Sequence, residues 1–208
     1  IIHTKQGKNH MAFSEFLDGR RNAAKELVKE LGESFSYVSV LGTYARASLY
    51  TAELKSSNVR AGAGECGFAV RMWNGRAYFE YSLDDISGDI RELAKKIVKE
   101  AVPSETLTDK EIKPDAPLDE PLVESFCREN DFDDYSDEER LEFCKKVRDM
   151  TKAKSGKVVN ATGYLQPFTV SKLFISKNRE LDQYYGWVNA MIIAIYNDGK
   201  IIRAREDA

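Results

Sequence analysis

Asn74-Gly75 is the feature that most restricts the fold of this chain. Before it, Phe68, Val70 and Met72 alternate onto one side of an extended run, and after it Ala77 to Tyr81 returns. Asn-Gly supplies the positive φ angles of a tight hairpin turn, so the two runs pair antiparallel. Helical periodicity flanks this hairpin on both sides. Phe13, Phe16, Leu17, Ala23, Ala24, Leu27, Val28 and Leu31 recur at spacings of three and four, and Gly32 stops them. Leu83, Ile86, Ile90, Leu93, Ala94, Ile97, Val98 and Ala101 lie on one face of a second helix. Between the first helix and the hairpin, Tyr37 to Leu49 and Thr51 to Arg60 read as short antiparallel strands, punctuated by Gly42 and Ser56-Ser57-Asn58. Helix, hairpins, helix is an α+β order, not that of a parallel sheet.

Pro103, Pro114, Pro117 and Pro121 then fall among polar residues with few large apolar side chains. Proline interrupts both helix and ladder, so the segment from Val102 to Pro121 reads as a linker. A second unit follows. Ser136 and Glu139 have capping-box spacing ahead of a helix whose stripe is Leu141, Cys144, Val147 and Met150. Lys157 to Ala161, Thr169 to Ser176, Tyr185 to Tyr196 and Lys200 to Arg205 read as strands, with Asn197-Asp198-Gly199 as a turn. The expected organisation is therefore a leader over residues 1–10, an α+β subdomain over 11–101, a linker over 102–121 and a second α+β subdomain over 122–208. Each subdomain would be an antiparallel sheet with helices packed mainly on one face. The end at Ala208, directly after a strand, reads as a cut ahead of a further domain.

Chemistry is limited by histidine. His3 and His10 are the only two in 208 residues, and both precede the first amphipathic segment. Histidine is the commonest general base near neutral pH and the commonest metal ligand, so most hydrolytic and zinc sites are hard to build from the body of this chain. Cys66, Cys127 and Cys144 have no CxxC spacing, which fits a reducing cytoplasm. The net charge of −3 gives no bulk attraction to polyanions, and no apolar run approaches the length of a membrane span.

Four motifs have ordinary structural explanations. Gly62-Ala63-Gly64-Glu65-Cys66-Gly67 spells a dinucleotide-binding GxGxxG, but a strand follows it where a helix is needed, so it reads as a glycine-rich turn or bulge. Asp131, Asp133, Asp137, Glu139 and Glu142 match several offsets of a calcium loop. Tyr135 and Ser136, however, stand where an oxygen ligand and a glycine belong, and carboxylates also gather at a helix N-terminus to complement its dipole. Phe168, Phe174, Tyr184, Tyr185 and Trp187 among basic residues could form a stacking platform for single-stranded nucleic acid, or one face of a sheet. Asn160-Ala161-Thr162 has the spelling of a glycosylation sequon, which has no use in a cytoplasmic chain. The residues assign no catalytic, cofactor-binding or metal-binding position.

The strings Gly67-Phe68-Ala69-Val70-Arg71, Asn74-Gly75-Arg76-Ala77-Tyr78-Phe79 and Leu83-Asp84-Asp85-Ile86 resemble the N-terminal region of the TldD/PmbA zinc metallopeptidases, also described as modulators of DNA gyrase. The likeness extends from about Phe13 to Arg205. Where that family tends to carry an N-S-x-G-like turn, this chain reads Ile175-Ser176-Lys177-Asn178-Arg179-Glu180, which leaves TldD-like and PmbA-like assignments both open. The resemblance implies a non-catalytic part of a cytoplasmic, two-subunit peptidase. Its zinc would sit on an HExxxH helix in a C-terminal domain, and the partner subunit would be identical or paralogous. The substrate would be a peptide or unfolded protein, admitted here by pairing along an exposed strand edge. The alternative is a self-contained α+β binding module, with nucleic acid as its candidate ligand.

Overall fold

In the computed structural model the described residues are 13–62, 64–75, 77–101, 118–128, 131–197, 199 and 202–207. The leader and most of the linker lie outside them. Two long strands set the architecture: β1 is Tyr37–Ala52 and β6 is Val158–Ser176. They pair antiparallel from Ser39 opposite Ser176 to Ala52 opposite Gly163. Around them lie β2 (Ser57–Ala61), β3 (Glu65–Trp73), β4 (Tyr78–Leu83), β5 (Leu122–Cys127), β7 (Arg179–Asn197) and β8 (Ile202–Asp207). The order is β4-β3-β1-β6-β7-β5, with β2 also on β1 and β8 also on β7. The class is α+β as expected. The two expected sheets, however, are one eight-stranded sheet, because β1 from the first half and β6 from the second are direct neighbours. It is mixed, since β5 runs parallel to β7.

Two residues that look like breaks lie within strands. Gly42 is internal to β1, where an added Cβ would press on Phe68 and on Leu17 of the first helix. That glycine lets a helix approach the strand backbone. Pro167 is internal to β6, which joins the two runs predicted over 157–161 and 169–176 into one strand. On the β1 side, pairing lapses between Ala47–Phe168 and Tyr50–Leu165, so the missing proline N–H falls where no ladder bond is required.

The helices are α1 (Glu15–Leu31), α2 (Ile90–Glu100) and α3 (Asp137–Ala153). Leu17, Leu27 and Leu31 of α1 and Ile97 of α2 are fully buried with Val40, Val70, Met72, Leu173 and Ile175 of the sheet. Cys144 of α3 packs with Tyr50, Ala52 and Leu165. Leu165, Leu173 and Ile175 share one parity along β6, so all three helices cover the same face. The N-terminus of α1 is tied there as well, because the Ser14 N–H donates to Ser171 Oγ at 3.1 Å. The helix predicted from Leu83 begins only at Ile90. Asp89 caps it by accepting from the Arg91 and Glu92 N–H groups, while Ile86 reaches the core from the preceding loop. The capping box of Ser136 and Glu139 is present at the start of α3.

At Gly163 the backbone of β6 touches that of α3: an added Cβ would lie inside contact distance of the Cys144 carbonyl oxygen. Gly163→Ala should therefore push α3 away from the sheet and cost about 1 to 3 kcal/mol. Gly156→Ala, where a Cβ meets nothing within 4 Å, should leave stability nearly unchanged. Urea unfolding midpoints of the two variants test the contrast.

Candidate functional site

β7 has one fully paired edge and one interrupted edge. On the first, β6 pairs with it from Glu180 to Tyr196. On the second, β5 pairs with Arg179–Tyr184 and β8 with Ile192–Asn197. Among the described residues no strand covers Tyr185 to Met191 on that side. The carbonyls of Asn178 and Tyr184 accept from the Leu122 and Arg128 N–H groups at 3.1 and 2.8 Å, which fixes the outward parity. By alternation Gly186, Val188 and Ala190 turn their N–H and C=O groups into the gap. Such a row is a template for an added strand.

The sheet face away from the helices carries aromatic side chains beside this gap. Phe168 and Trp187 stack with ring centroids 4.9 Å apart and planes 9° apart, and Tyr185 lies 6.2 Å from Trp187. Lys172 Nζ stands 5.9 Å from the Tyr185 ring centroid. Phe174 belongs to the same face, in a cross-strand row with Leu41 and Leu181. Tyr184 does not, being buried on the helix side. Of the five aromatics considered as a platform, the fold thus brings four to one face. Among the described residues Lys172 is their one basic companion with a ring contact there, and Arg71, also on this face, is paired with Glu80 at 2.9 Å.

The interrupted edge is held to α1 by charge. Arg21 donates to Glu180 Oε1 and to Asp182 Oδ2, both at 2.9 Å, and Lys25 Nζ lies 2.7 Å from Glu180 Oε2. Ser125 of β5 donates to Asp182 as well. One half-buried guanidinium thereby fastens α1 to β7, and Asp182 links both to β5. Lys25, then Arg21, hold the Glu180 carboxyl below its ordinary value against the opposing effect of burial. A second bidentate pair, Arg20 to Asp85 at 2.6 and 3.0 Å, fixes the loop before α2 and lowers the Asp85 carboxyl in the same way. Beyond the edge, the C-terminal half of α1, the turn between β6 and β7, and the start of β5 border an open cleft of about 650 Å³.

The other motifs have structural roles. Gly62, Gly64 and Gly67 carry the chain from β2 to β3 alongside β1. A Cβ at Gly62 would strike Ala47, and Gly67 has φ +157 with no room beside the Leu83 carbonyl. Of the carboxylates read as a calcium loop, Asp137 accepts from Tyr50 Oη at 2.5 Å, Glu139 completes the capping box and Glu142 lies 3.5 Å from Lys145. Arg140 donates to Tyr50 Oη and to the Phe132 carbonyl, with its guanidinium over both rings. Burial pushes the Cys144 thiol up to about 11, and burial with Asp85 and Asp84 raises Cys66. A nucleophilic cysteine requires the opposite shift. Among the described residues no three His, Cys, Asp or Glu side chains converge as metal ligands, so they do not fit a zinc ion. His3, His10 and the linker prolines Pro103, Pro114 and Pro117 lie outside the described residues. No described helix is long and apolar enough to cross a membrane.

Sequence reasoning missed β5 and the Arg21 junction. Leu122-Val123-Glu124-Ser125-Phe126, directly after Pro121, has a short strand's composition, but nothing local marks its partner as parallel and distant. No family model matches the sequence, and no curated protein matches it. Solved structures do. A protein from Bacteroides thetaiotaomicron, named as a candidate modulator of DNA gyrase, superposes with a TM-score of 0.65 at 11% identity, over 91% of this chain and 44% of its own. One of the same description from Thermotoga maritima gives 0.59 at 13%, over 91% and 42%. TldE from Thermococcus kodakarensis gives 0.54 at 13%, over 89% and 42%.

The chain has the fold of these proteins. It spans less than half of their length. The superpositions hold although only 11 to 13% of the residues are identical.

Arg21→Gln should cost about 1 to 2 kcal/mol, because it leaves Glu180 and Asp182 half-buried without their shared donor. The depressed Glu180 carboxyl stabilises the fold fully above its unfolded value of about 4.3, and that contribution is lost as pH falls through the lower folded value. Glu180→Gln should flatten the acid limb of stability relative to the parent chain, as read by urea unfolding at a series of pH values.

Proposed function

We propose that this chain is the N-terminal, non-catalytic region of a TldD/PmbA-like zinc metallopeptidase of the cytoplasm. In that reading it presents an extended peptide or unfolded segment to a zinc site that another domain supplies. The observation that carries this is the uncovered edge of β7 from Tyr185 to Met191, bounded by β5 at one end and β8 at the other. A chain lying there satisfies the outward groups of Gly186, Val188 and Ala190 through its own backbone. It alternates its side chains between the aromatic face and the helix face. Recognition of this kind reads backbone more than sequence, which suits an enzyme acting on many unfolded segments.

The shared fold with TldE and with the two proteins named for DNA gyrase supports the family assignment. Zinc in the other domain would polarise the scissile carbonyl and activate water when bound. The partner subunit is an identical or paralogous chain. The stacked Phe168–Trp187 pair is also what a nucleic-acid platform would use, but one ring-contacting lysine is a poor match for a phosphate backbone.

Hydrogen exchange tests the reading. An unstructured peptide should slow exchange at Gly186, Val188 and Ala190 while leaving the β1–β6 ladder unchanged. Ala190→Pro removes an outward N–H without taking a bond from β6, so it should abolish that protection in a chain that still folds. Protection that ignores this substitution, or binding of a single-stranded oligonucleotide with a steep salt dependence, would refute the strand-addition reading.

A further inference from the structure

The cleft beside the β6–β7 turn lies apart from the uncovered edge of β7, and its chemistry is different. Its floor is apolar: Val28 of α1, Val38 of β1 and Ile175 of β6 line it and are buried, with Phe35 and Tyr37 part-exposed at its side. Val123, 80% exposed at the near end of β5, adds an aliphatic wall that lies almost bare to solvent. The volume of about 650 Å³ lies within the range of roughly 300 to 1,000 Å³ typical of small-ligand sites.

The charges around this floor are unequally committed. Lys25, Lys29, Lys177 and Arg179 line the cleft together with Glu33, Asp119 and Glu180. Glu180 already holds Lys25 and Arg21. Asp119 accepts from Ser176 Oγ and from Asn178 Nδ2. Among the described residues Lys29 and Lys177 have no acidic partner, and Arg179 reaches only the Glu120 carbonyl, through Nε at 2.9 Å. Three cations thus remain against Glu33. At the end of α1 the carbonyls of Val28, Glu30 and Leu31 each accept an N–H from Gly32, Glu33, Ser34 or Phe35.

We infer that this cleft binds a short aliphatic group ending in a carboxylate, with the hydrocarbon on Val28, Val38 and Ile175 and the carboxylate between Lys29 and Lys177. A bare anion would leave the apolar floor wet, and a neutral apolar molecule would leave the lysines unengaged. A carboxylate on a branched or linear alkyl body satisfies both. Two sources have that chemistry: the free C-terminal residue of a peptide, and a medium-chain fatty acid. This inference does not rest on strand addition to β7, and either can fail alone.

The test is a titration of the isotope-labelled 208-residue chain followed by amide chemical shifts. The probes are N-acetyl-Ala-Ile with a free carboxylate, the same dipeptide as its amide, octanoate and inorganic phosphate. The free dipeptide or octanoate, whichever is the better source, should shift amides of residues 28–29, 38 and 175–179 and leave 185–191 in place. The amide and phosphate should bind at least roughly fivefold more weakly. Lys29→Gln combined with Lys177→Gln, both at exposed positions, should weaken the favoured probe by roughly five- to tenfold without altering the unfolding midpoint. Equal binding of the amide, equal binding of phosphate, an unaffected double variant, or no shift at these amides with any probe would each overturn the inference.

Discussion

The antiparallel contact between β1 and β6 is the interaction on which the rest of the molecule depends. It joins a strand from the first half of the chain to one from the second, and it joins the two groups of helices as well. α1 and α2 rest on Val38, Val40, Leu173 and Ile175, and α3 rests on Tyr50, Ala52 and Leu165. Pairing so distant in sequence carries a large loop-closure cost before any apolar burial offsets it. The missing side chains of Gly42 and Gly163 make that burial effective, the first leaving room for Phe68 and Leu17 and the second for the Cys144 backbone. Both glycines lie in β1 or β6, at the points where α1 and α3 reach the sheet.

One side of the sheet is filled by helices, and among the described residues no helix covers the other. Specific chemistry concentrates near β7 because that strand meets every part of the design: α1 through Arg21, β5 through Asp182 and Ser125, and the aromatic face through Tyr185 and Trp187. An edge strand without such anchors frays, and a frayed edge is a poor template. Half-buried ion pairs confer position here more than net stability, since their desolvation offsets much of their attraction.

Local features were legible in the sequence and distant ones were not. The amphipathic stripe from Leu17 to Leu31, the hairpin across Asn74-Gly75 and the Ser136–Glu139 capping box each involve residues a few positions apart, and each is found, although Gly75 and not Asn74 takes the positive φ. The merging of two expected sheets into one was hidden, because the hydrophobic pattern of β1 states that a face is buried but not which strand lies beside it. Gly42 and Pro167 misled for a related reason. Their tolerance inside strands comes from neighbours, Leu17 and Phe68 in one case and the lapse in pairing near Ala47 in the other. Ile86 matched a helical period while belonging to a loop, since Asp89 and the Arg20–Asp85 pair, not periodicity, decide where α2 starts. At the candidate site the aromatics were visible as a group. The gap they flank depends on where β5 and β8 end, which no local pattern states.

β5 runs with β7 and β8 runs against it, so the strands that flank the seven-residue opening do not dictate the direction of an added strand. Whichever way it points, such a strand is held at every second residue, and sliding by one would exchange the side chains facing Trp187 for those facing α3. A polypeptide drawn through this opening therefore regains its full set of bonds only after advancing by a dipeptide, about 7 Å. Any extended segment bound at this edge would thus shift in steps of two residues, the repeat of the pleat.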